Sequence, residues 1–192
     1  METVSISEAT KEMQTAVKTL YEKIHKVLTV HTKLNRHAMC ACQSLGYNGF
    51  KRWHRYRSCC FFDLDTELAN ELFDKFRIKA DFKDYELSYN PENLEMHLKS
   101  WEKALLDGIQ ELGTVAKSFY EETGTRSCVI EKAMCKMSKD HRKVCRLLSR
   151  FTESEWLTLD MHIVDDKLHK KYKCKEEGSG EKWIHGTMQM KY

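Results

Sequence analysis

The stretch from Asn90 to Gly124 reads NPENLEMHLKSWEKALLDGIQELGTVAKSFYEETG and carries the clearest helix signals of the chain. Asparagine is a favourable N-cap, and Pro91 suits the first position of a helix. Gly124 is a typical helix stop. Apolar residues recur at helical spacing between these signals, at Leu94, Leu98, Trp101, Leu105, Leu112, Val115 and Phe119. The pattern predicts one long helix with a single buried face.

Similar apolar stripes precede and follow this helix. A first helix is predicted from the capping box of Ser5 and Glu8, and a second over about 50–78, after a turn at 45–49. The connection over 79–90 is long for a hairpin and predicts a crossover.

The C-terminal part of the chain carries two more stripes. A fourth helix is predicted from near Ser127, and a shorter fifth one from the capping box of Thr152 and Glu155. We therefore predict an all-α protein, a four-helix bundle with a shorter fifth C-terminal helix. Residues 1–175 are expected to form one helical-bundle domain, and 176–192 a mobile C-terminal tail.

The composition excludes several classes of protein. Only one of the 192 residues is proline, so the chain has few helix breakers. The net charge at pH 7 is +3, which argues against a protein that is a polycation over its whole length. No segment has the ~20 consecutive apolar residues of a membrane helix, and the polar start lacks the pattern of a secretory signal. We predict a cytoplasmic protein with reduced cysteines that does not enter a membrane.

Two histidines fall at positions of the stripes where an apolar residue is expected. His31 lies in the first helix, and His141 lies in the fourth, between Met137 and Val144. Helices of a bundle can bring two such imidazoles together, and histidine is the commonest metal ligand. The alternative is a pair of core histidines, each hydrogen-bonded to a neighbour.

The second helix carries a ladder of carboxylates at helical spacing, formed by Asp63, Glu67, Glu71 and Asp74. Facing inward, the ladder would bind iron or another hard or borderline cation. Facing outward, it is a solvated surface, which is the usual place for charged residues. For His162, Asp166 and His169 on the fifth helix the alternatives are a surface metal site and a charged exposed face.

A basic segment opens the second helix. Its cations are interleaved with aromatic residues, a composition that suits phosphate contacts and base stacking. The alternative is a solvated basic helix face, or ion pairs with neighbouring acids. The candidate nucleic-acid-binding residues are Lys51, Arg52, Arg55 and Arg57.

Cysteines flank the turn between the first two helices. Cys40 and Cys42 precede it, Cys59 and Cys60 follow it, and His54 is nearby. Structural zinc takes four such ligands in tetrahedral geometry. Adjacent cysteines on a helix point about 100° apart, which opposes joint chelation.

The passage GYNGFKRWH, Gly46 to His54, resembles the turn and the start of the second helix in bacterioferritins and in the mini-ferritins that protect DNA during starvation. The stretches 94–123 and 129–151 are similar to the third and fourth helices of that fold, which also has a long crossover. The resemblance covers about 17–151 and is to the ferritin-like superfamily. It implies a homo-oligomer that binds iron.

The resemblance also implies where a metal would bind. In the mini-ferritin pattern two histidines are followed by two acidic residues four positions apart. His54 matches the second histidine, Cys42 stands where the first is expected, and the acidic pairs sit earlier than the pattern requires. The implied iron ligands are His54, Glu67 and Glu71, with His31 and His141 as the interior alternative.

Three functions follow from these observations. The leading hypothesis is a ferritin-like oligomer that binds iron and protects against iron-driven oxidation, with a degraded or relocated metal site. The second is a helical module that binds nucleic acid or another anion through 51–57. The third is a structural or adaptor protein without catalytic activity. Whether the protein is an enzyme stays open at this point.

Overall fold

The computed structural model describes residues 6–81 and 83–150, together with Glu155, Thr158 and Asp160. This part of the chain is helical, without a strand, which confirms the predicted all-α bundle. Most of the predicted fifth helix, with His162, Asp166 and His169, and the predicted tail 176–192 lie outside the described residues. The four helices are α1 (Ile6–Ser44), α2 (Asn48–Phe76), α3 (Leu94–Thr123) and α4 (Cys128–Arg150).

Short connections make two antiparallel hairpins, α1 with α2 and α3 with α4. The hairpins pack on each other through α1 with α3 and α2 with α4. The segment 77–93 runs from the end of α2 back to the start of α3, as the predicted crossover requires. The starts of α2 and α3 therefore lie at the same end of the bundle, and these two helices run parallel.

The turn between α1 and α2 is shorter than predicted. Gly46 has a positive φ of 84°, which glycine adopts without strain, but Asn48 and Gly49 already belong to α2. The Oδ1 atom of Asp160 accepts a hydrogen bond from the main-chain N–H of Phe50 at 2.7 Å. A carboxylate from the distant C-terminal segment thus caps α2, at the positive end of the helix dipole.

Gly49 is required by this cap rather than by a turn. A Cβ atom at this position would lie 2.2 Å from the main-chain oxygen of Asp160 and 2.8 Å from its Oδ1 atom. Backbone atoms cannot yield to such a contact as a flexible side chain can. The close approach of Asp160 therefore selects glycine at the start of α2.

The start of α3 corrects the sequence prediction. The N-cap is Asn93, whose Oδ1 atom accepts from the main-chain N–H of Met96 at 2.8 Å, and not Asn90. Pro91 consequently lies before the helix. Asparagine suits both positions, so only the path of the crossover decides between them. The predicted stop is confirmed, because Gly124 ends the helix in the left-handed conformation with φ 65°.

The core follows the predicted stripes. The largest fully buried side chains include Trp101, Phe50 and Phe61, and burying each of these stabilises the fold by roughly 1.5–3 kcal/mol. Within the described residues, no helix is apolar and long enough to cross a membrane.

Candidate metal centre

A chain of buried polar groups lies where the first turns of α2 and α3 meet the end of α1. His54 and His97 are both fully buried, and their Nε2 atoms are 2.8 Å apart. On the far side of His54, its Nδ1 atom is 2.8 Å from the Oδ1 atom of Asn35. On the far side of His97, the Nδ1 atom contacts the hydroxyl group of Tyr89, from the crossover.

The hydrogen bonds fix which nitrogens carry protons. Asn35 Nδ2 donates to the main-chain oxygen of His31 at 2.7 Å, so Asn35 Oδ1 faces His54 and accepts from its Nδ1–H. A neutral His54 then has an unprotonated Nε2 atom, which accepts from His97 Nε2–H. His97 in turn accepts from the Tyr89 hydroxyl through Nδ1. The hydrogen bonds therefore all run in one direction, from Tyr89 to Asn35.

The surroundings keep both rings neutral. The Trp101 ring lies 4.2 Å from His54 and 5.9 Å from His97, measured between ring centroids. Burial lowers the pKa of His54 well below its ordinary value, and His97 and the nearby Arg57 charge lower it further. Burial also lowers the pKa of His97, to about 4. At neutral pH both imidazoles therefore have a lone pair and no charge.

Cys42 completes a group of three ligand-type side chains, called here the buried centre. Its thiol is fully buried, and its ligand atom and those of His54 and His97 all lie within 4.8 Å of one another. Each residue comes from a different helix. Burial, assisted by the charge of Asp160, raises the pKa of Cys42 to about 12, so the thiol holds its proton when no metal is bound.

A second group of ligands lies between α3 and α4 and is called here the half-exposed cluster. It consists of Glu102, His141 and Cys145. Cys145 Sγ is 3.3 Å from Glu102 Oε1 and 3.6 Å from His141 Nε2. Within the described part of the chain, these two groups are the places where three such ligands converge.

The ligands implied by the ferritin-like resemblance are dispersed in the structure. His54 belongs to the buried centre, but Glu67 is 13 positions further along α2, about 20 Å along the helix axis. Glu67 pairs with Lys132 at 2.7 Å, and Glu71 accepts from Lys75 and from the hydroxyl of Ser127. Of the predicted carboxylate ladder, Asp63, Glu67 and Asp74 are exposed and Glu71 is half-buried. The ladder faces outward.

His31 and His141 occupy different surroundings. His31 is buried in a layer to which all four helices contribute, against Phe61, Gly108 and Met137. Its Nδ1 atom has no hydrogen-bond partner among the described residues, and burial lowers its pKa to about 4. His141 instead lies in the half-exposed cluster. Glycine at 108 makes room for the imidazole, since a Cβ there would lie 2.6 Å from His31 Nε2.

The interior layer around His31 carries no carboxylate. Ferritin-like di-metal sites use four glutamates and two histidines that project inward from the four helices. No glutamate is among the buried side chains of the described residues. The three buried carboxylates there have other partners: Asp65 pairs with His25, Asp140 with Arg57, and Asp160 caps α2.

The basic segment is partly built into the fold. Trp53 is 5% exposed and His54 is buried, so neither ring is available for base stacking. Arg57 Nη2 donates to Asp140 Oδ1 at 2.6 Å, and the Asp140 side chain is fully buried. Lys51 and Arg55 are half-buried, and Arg52 is exposed. The structure therefore does not support the interpretation of 51–57 as a stacking surface for nucleic acid.

The cysteine pairs do not form a four-ligand zinc site. Cys42 and Cys60 are buried, whereas Cys40 is exposed and Cys59 is half-buried. Of these four cysteines, only Cys42 belongs to one of the ligand groups found within the described residues. Alternating exposure follows from the helical geometry, because neighbouring side chains point about 100° apart.

Sequence reasoning missed His97, Asn35 and Tyr89. His97 lies between Leu94 and Trp101 at helical spacing, and this position on the α3 stripe was a usable signal. A Glu-x-x-His was also missed, Glu22 to His25 on α1. Its glutamate contacts Lys83, and its histidine pairs with Asp65. Tyr85, Leu87 and Tyr89 alternate with polar residues and are half-buried, so this period of two was a usable signal that Tyr89 faces the bundle.

Comparison with known proteins identifies the fold. No protein-family model and no curated protein sequence matches the chain. Among solved structures, the chain is similar to the open pore ferritin of the hyperthermophilic archaeon Archaeoglobus fulgidus, with a TM-score of 0.62. The match covers 83% of this chain and 99% of that one, at 11% sequence identity. The fold is therefore ferritin-like, as predicted, and at this identity the likeness concerns the fold alone.

Proposed function

We propose that this ferritin-like bundle binds one transition-metal ion at the buried centre. The observation that carries the proposal is the convergence of Cys42, His54 and His97 from three helices, with every side chain buried. Buried polar groups need a hydrogen-bond partner, and both imidazoles have one in the chain of hydrogen bonds from Tyr89 to Asn35. That chain does not require the Cys42 thiol, which adds a third ligand beside the two imidazoles.

The histidines are suited to ligation. A metal-ligating histidine usually donates its other ring N–H to an oxygen, which fixes the tautomer. His54 already has this arrangement, with Nδ1–H on Asn35 and a lone pair at Nε2. In His97 the proton would move from Nε2 to Nδ1, and the Nδ1–H group would then donate a hydrogen bond to the hydroxyl oxygen of Tyr89. Asn35 and Tyr89 thereby act as supports that orient the two ligands.

The spacing of the ligands requires only a small adjustment. Two imidazole nitrogens bound to a tetrahedral ion at about 2.0–2.1 Å lie roughly 3.3 Å apart. The observed separation between the Nε2 atoms is 2.8 Å. An ion would therefore replace the hydrogen bond between the rings and spread them by about half an ångström. Binding would also release the thiol proton of Cys42, since a thiolate is the ligand form.

The ligand set selects the class of metal. Imidazole and thiolate suit iron, zinc and copper, whereas magnesium and calcium take oxygen ligands. We take ferrous iron as the first candidate, because the similar solved structure is that of a ferritin, and zinc as the alternative. A ferrous ion held in this interior is kept from soluble oxidants, which would limit iron-driven oxidation. The proposal includes no di-iron oxidation, since the buried glutamates of such a site are lacking in the described residues.

We also propose that the protein is a homo-oligomer located in the cytoplasm. Phe62 and Phe73 are 41% and 52% exposed and lie 11 positions apart on α2, about three helical turns. Two exposed phenylalanines on one helix face favour contact with another copy of the chain. Size-exclusion chromatography with light scattering measures the assembly directly.

The test uses cobalt(II), which reports a thiolate ligand through a near-ultraviolet charge-transfer band. The Cys145→Ser protein serves as the background, so that the half-exposed cluster lacks its thiol. We expect one equivalent of cobalt(II) with this band, and competition by anaerobic ferrous iron or by zinc. Adding Cys42→Ser should abolish the band.

The matched control is Cys60→Ser in the same background, because Cys60 is a buried cysteine that belongs to neither ligand group. It should keep the band and the stoichiometry. A Cys42→Ser protein that binds cobalt(II) with an unchanged band would overturn the proposal, as would a background protein that binds none.

A further inference from the structure

The half-exposed cluster has the dimensions of a metal site. Cys145 Sγ lies 3.3 Å from Glu102 Oε1 and 3.6 Å from His141 Nε2, and His141 Nε2 lies 3.9 Å from Glu102 Oε1. Ligands around a tetrahedral zinc-type ion, with bonds of about 2.0–2.3 Å, are separated by roughly 3.4–3.6 Å. Each observed distance is within about half an ångström of this range.

Helical geometry holds the three groups in place. His141 and Cys145 are four positions apart on α4 and therefore lie one above the other on the same face. Glu102 reaches them from α3, which packs along α4. The cluster thus depends on the packing of two long helices, α3 and α4, and on no loop.

The contacts within the cluster are weak without an ion. The thiol of Cys145 donates to Glu102, and the pKa of the thiol is raised by partial burial and, to a smaller extent, by this hydrogen bond. The separation of 3.9 Å between His141 and Glu102 is too long for a hydrogen bond. Three different ligand types therefore face one point without binding one another well.

Exposure distinguishes this cluster from the buried centre. The His141 and Glu102 side chains are 24% and 38% exposed, so solvent reaches the space between them. Sites with three protein ligands and an accessible fourth position take a water molecule there, as zinc sites in enzymes do. An ion here would exchange with solvent, while one in the buried centre would be enclosed.

We propose that Glu102, His141 and Cys145 form a second, solvent-accessible site for a divalent first-row metal ion of the zinc type. The site is independent of the buried centre and shares no residue with it. Its open position makes it suited to capture and exchange of the ion. Glu102 supplies a negative charge that, with the Cys145 thiolate, neutralises a divalent cation.

The test measures alkylation of each cysteine by iodoacetamide in the folded full-length chain, mapped by mass spectrometry, with and without zinc. Zinc should slow alkylation of Cys145 at least tenfold. The exposed cysteines Cys40, Cys128 and Cys135 serve as internal references, because they belong to neither ligand group.

Two variants decide the interpretation. His141→Ala should remove the protection of Cys145, while His37→Ala, at an exposed histidine outside both groups, should keep it. Cys42→Ser should also keep it, which separates this site from the proposed function. Equal alkylation of Cys145 with and without zinc, or equal protection in His141→Ala, would overturn the inference.

Discussion

The buried centre and the half-exposed cluster each contain a cysteine and a histidine, in opposite surroundings, and differ in the third ligand, His97 or Glu102. Each takes one residue from α3, His97 in the first and Glu102 in the second. These positions are five residues apart, which is about 7.5 Å along the helix axis and about 140° around it. One side chain therefore points into the bundle, and the other points to the edge between α3 and α4.

The surroundings of each cluster set the role that we expect for it. In the interior, burial keeps both imidazoles neutral and Asn35 and Tyr89 set their tautomers. At the edge, Glu102 brings a charge that a dry interior would oppose, and solvent completes the coordination. We expect the interior to retain an ion and the edge to exchange one.

The ion pair of Arg57 and Asp140 lies between the two regions. Arg57 is three residues after His54 on α2, and Asp140 precedes His141 on α4. Burial raises the pKa of Asp140, and the Arg57 charge opposes this shift. The pair joins α2 to α4 and fixes the helix that carries the half-exposed cluster.

Breaking this pair should have the largest effect. Arg57→Met leaves the buried Asp140 carboxylate without a cation, and we expect the free energy of unfolding to fall by about 3–5 kcal/mol. Urea denaturation measures the change. In the double variant Arg57→Met/Asp140→Leu, most of the loss should be recovered, because no unpaired charge remains. A loss below about 1 kcal/mol in the single variant would show that the pair is not the link between the regions.

Acid should destabilise the interior but not the edge, and the change in the free energy of unfolding should be smaller than that caused by Arg57→Met. Histidines such as His31, whose pKa is lowered from 6.5 to about 4, bind a proton more readily when unfolded. Stability is therefore lost as the pH falls from about 6.5 to 4, by about 3 kcal/mol for this residue. Urea denaturation over this range should show a shallower pH dependence for His31→Leu than for the unchanged protein.

Cys145→Ala is the control from the edge, since a thiol with a raised pKa does not titrate in acid. It should keep the full pH dependence. His25 does not mask this effect. Its pKa is raised, chiefly by the hydrogen bond to Asp65, so the stability that it contributes is fully present below pH 6.5 and is lost as the pH rises through its folded pKa. An unchanged slope in His31→Leu would contradict the prediction.

The smallest effect is expected at the carboxylate ladder of α2. Glu67 pairs with Lys132 on the surface, with both side chains about half exposed, and such pairs contribute little. Glu67→Gln should therefore leave the urea midpoint and the metal stoichiometry unchanged. Loss of iron or zinc binding, measured by elemental analysis of the purified variant, would show that the metal binds at the carboxylate ladder and not at either cluster.

The sequence determined the elements and their order. The apolar stripes of α1 to α4 and the left-handed stop at Gly124 are local, since they depend on helical periodicity and on backbone preferences. The length between α2 and α3 required a crossover. The ferritin-like fold followed from these features and from the passage around His54, and the solved structure of similar fold confirms it.

The tertiary structure alone decided which side chains meet. An apolar stripe indicates which face of a helix is buried, but it does not indicate how far one helix is shifted or rotated against the next. That shift places His97 against His54 while leaving Glu67 about 20 Å away along α2. Asp160 reaches the start of α2 and the Tyr89 hydroxyl reaches His97. These contacts join segments that are far apart in the sequence, so no local pattern names the two partners.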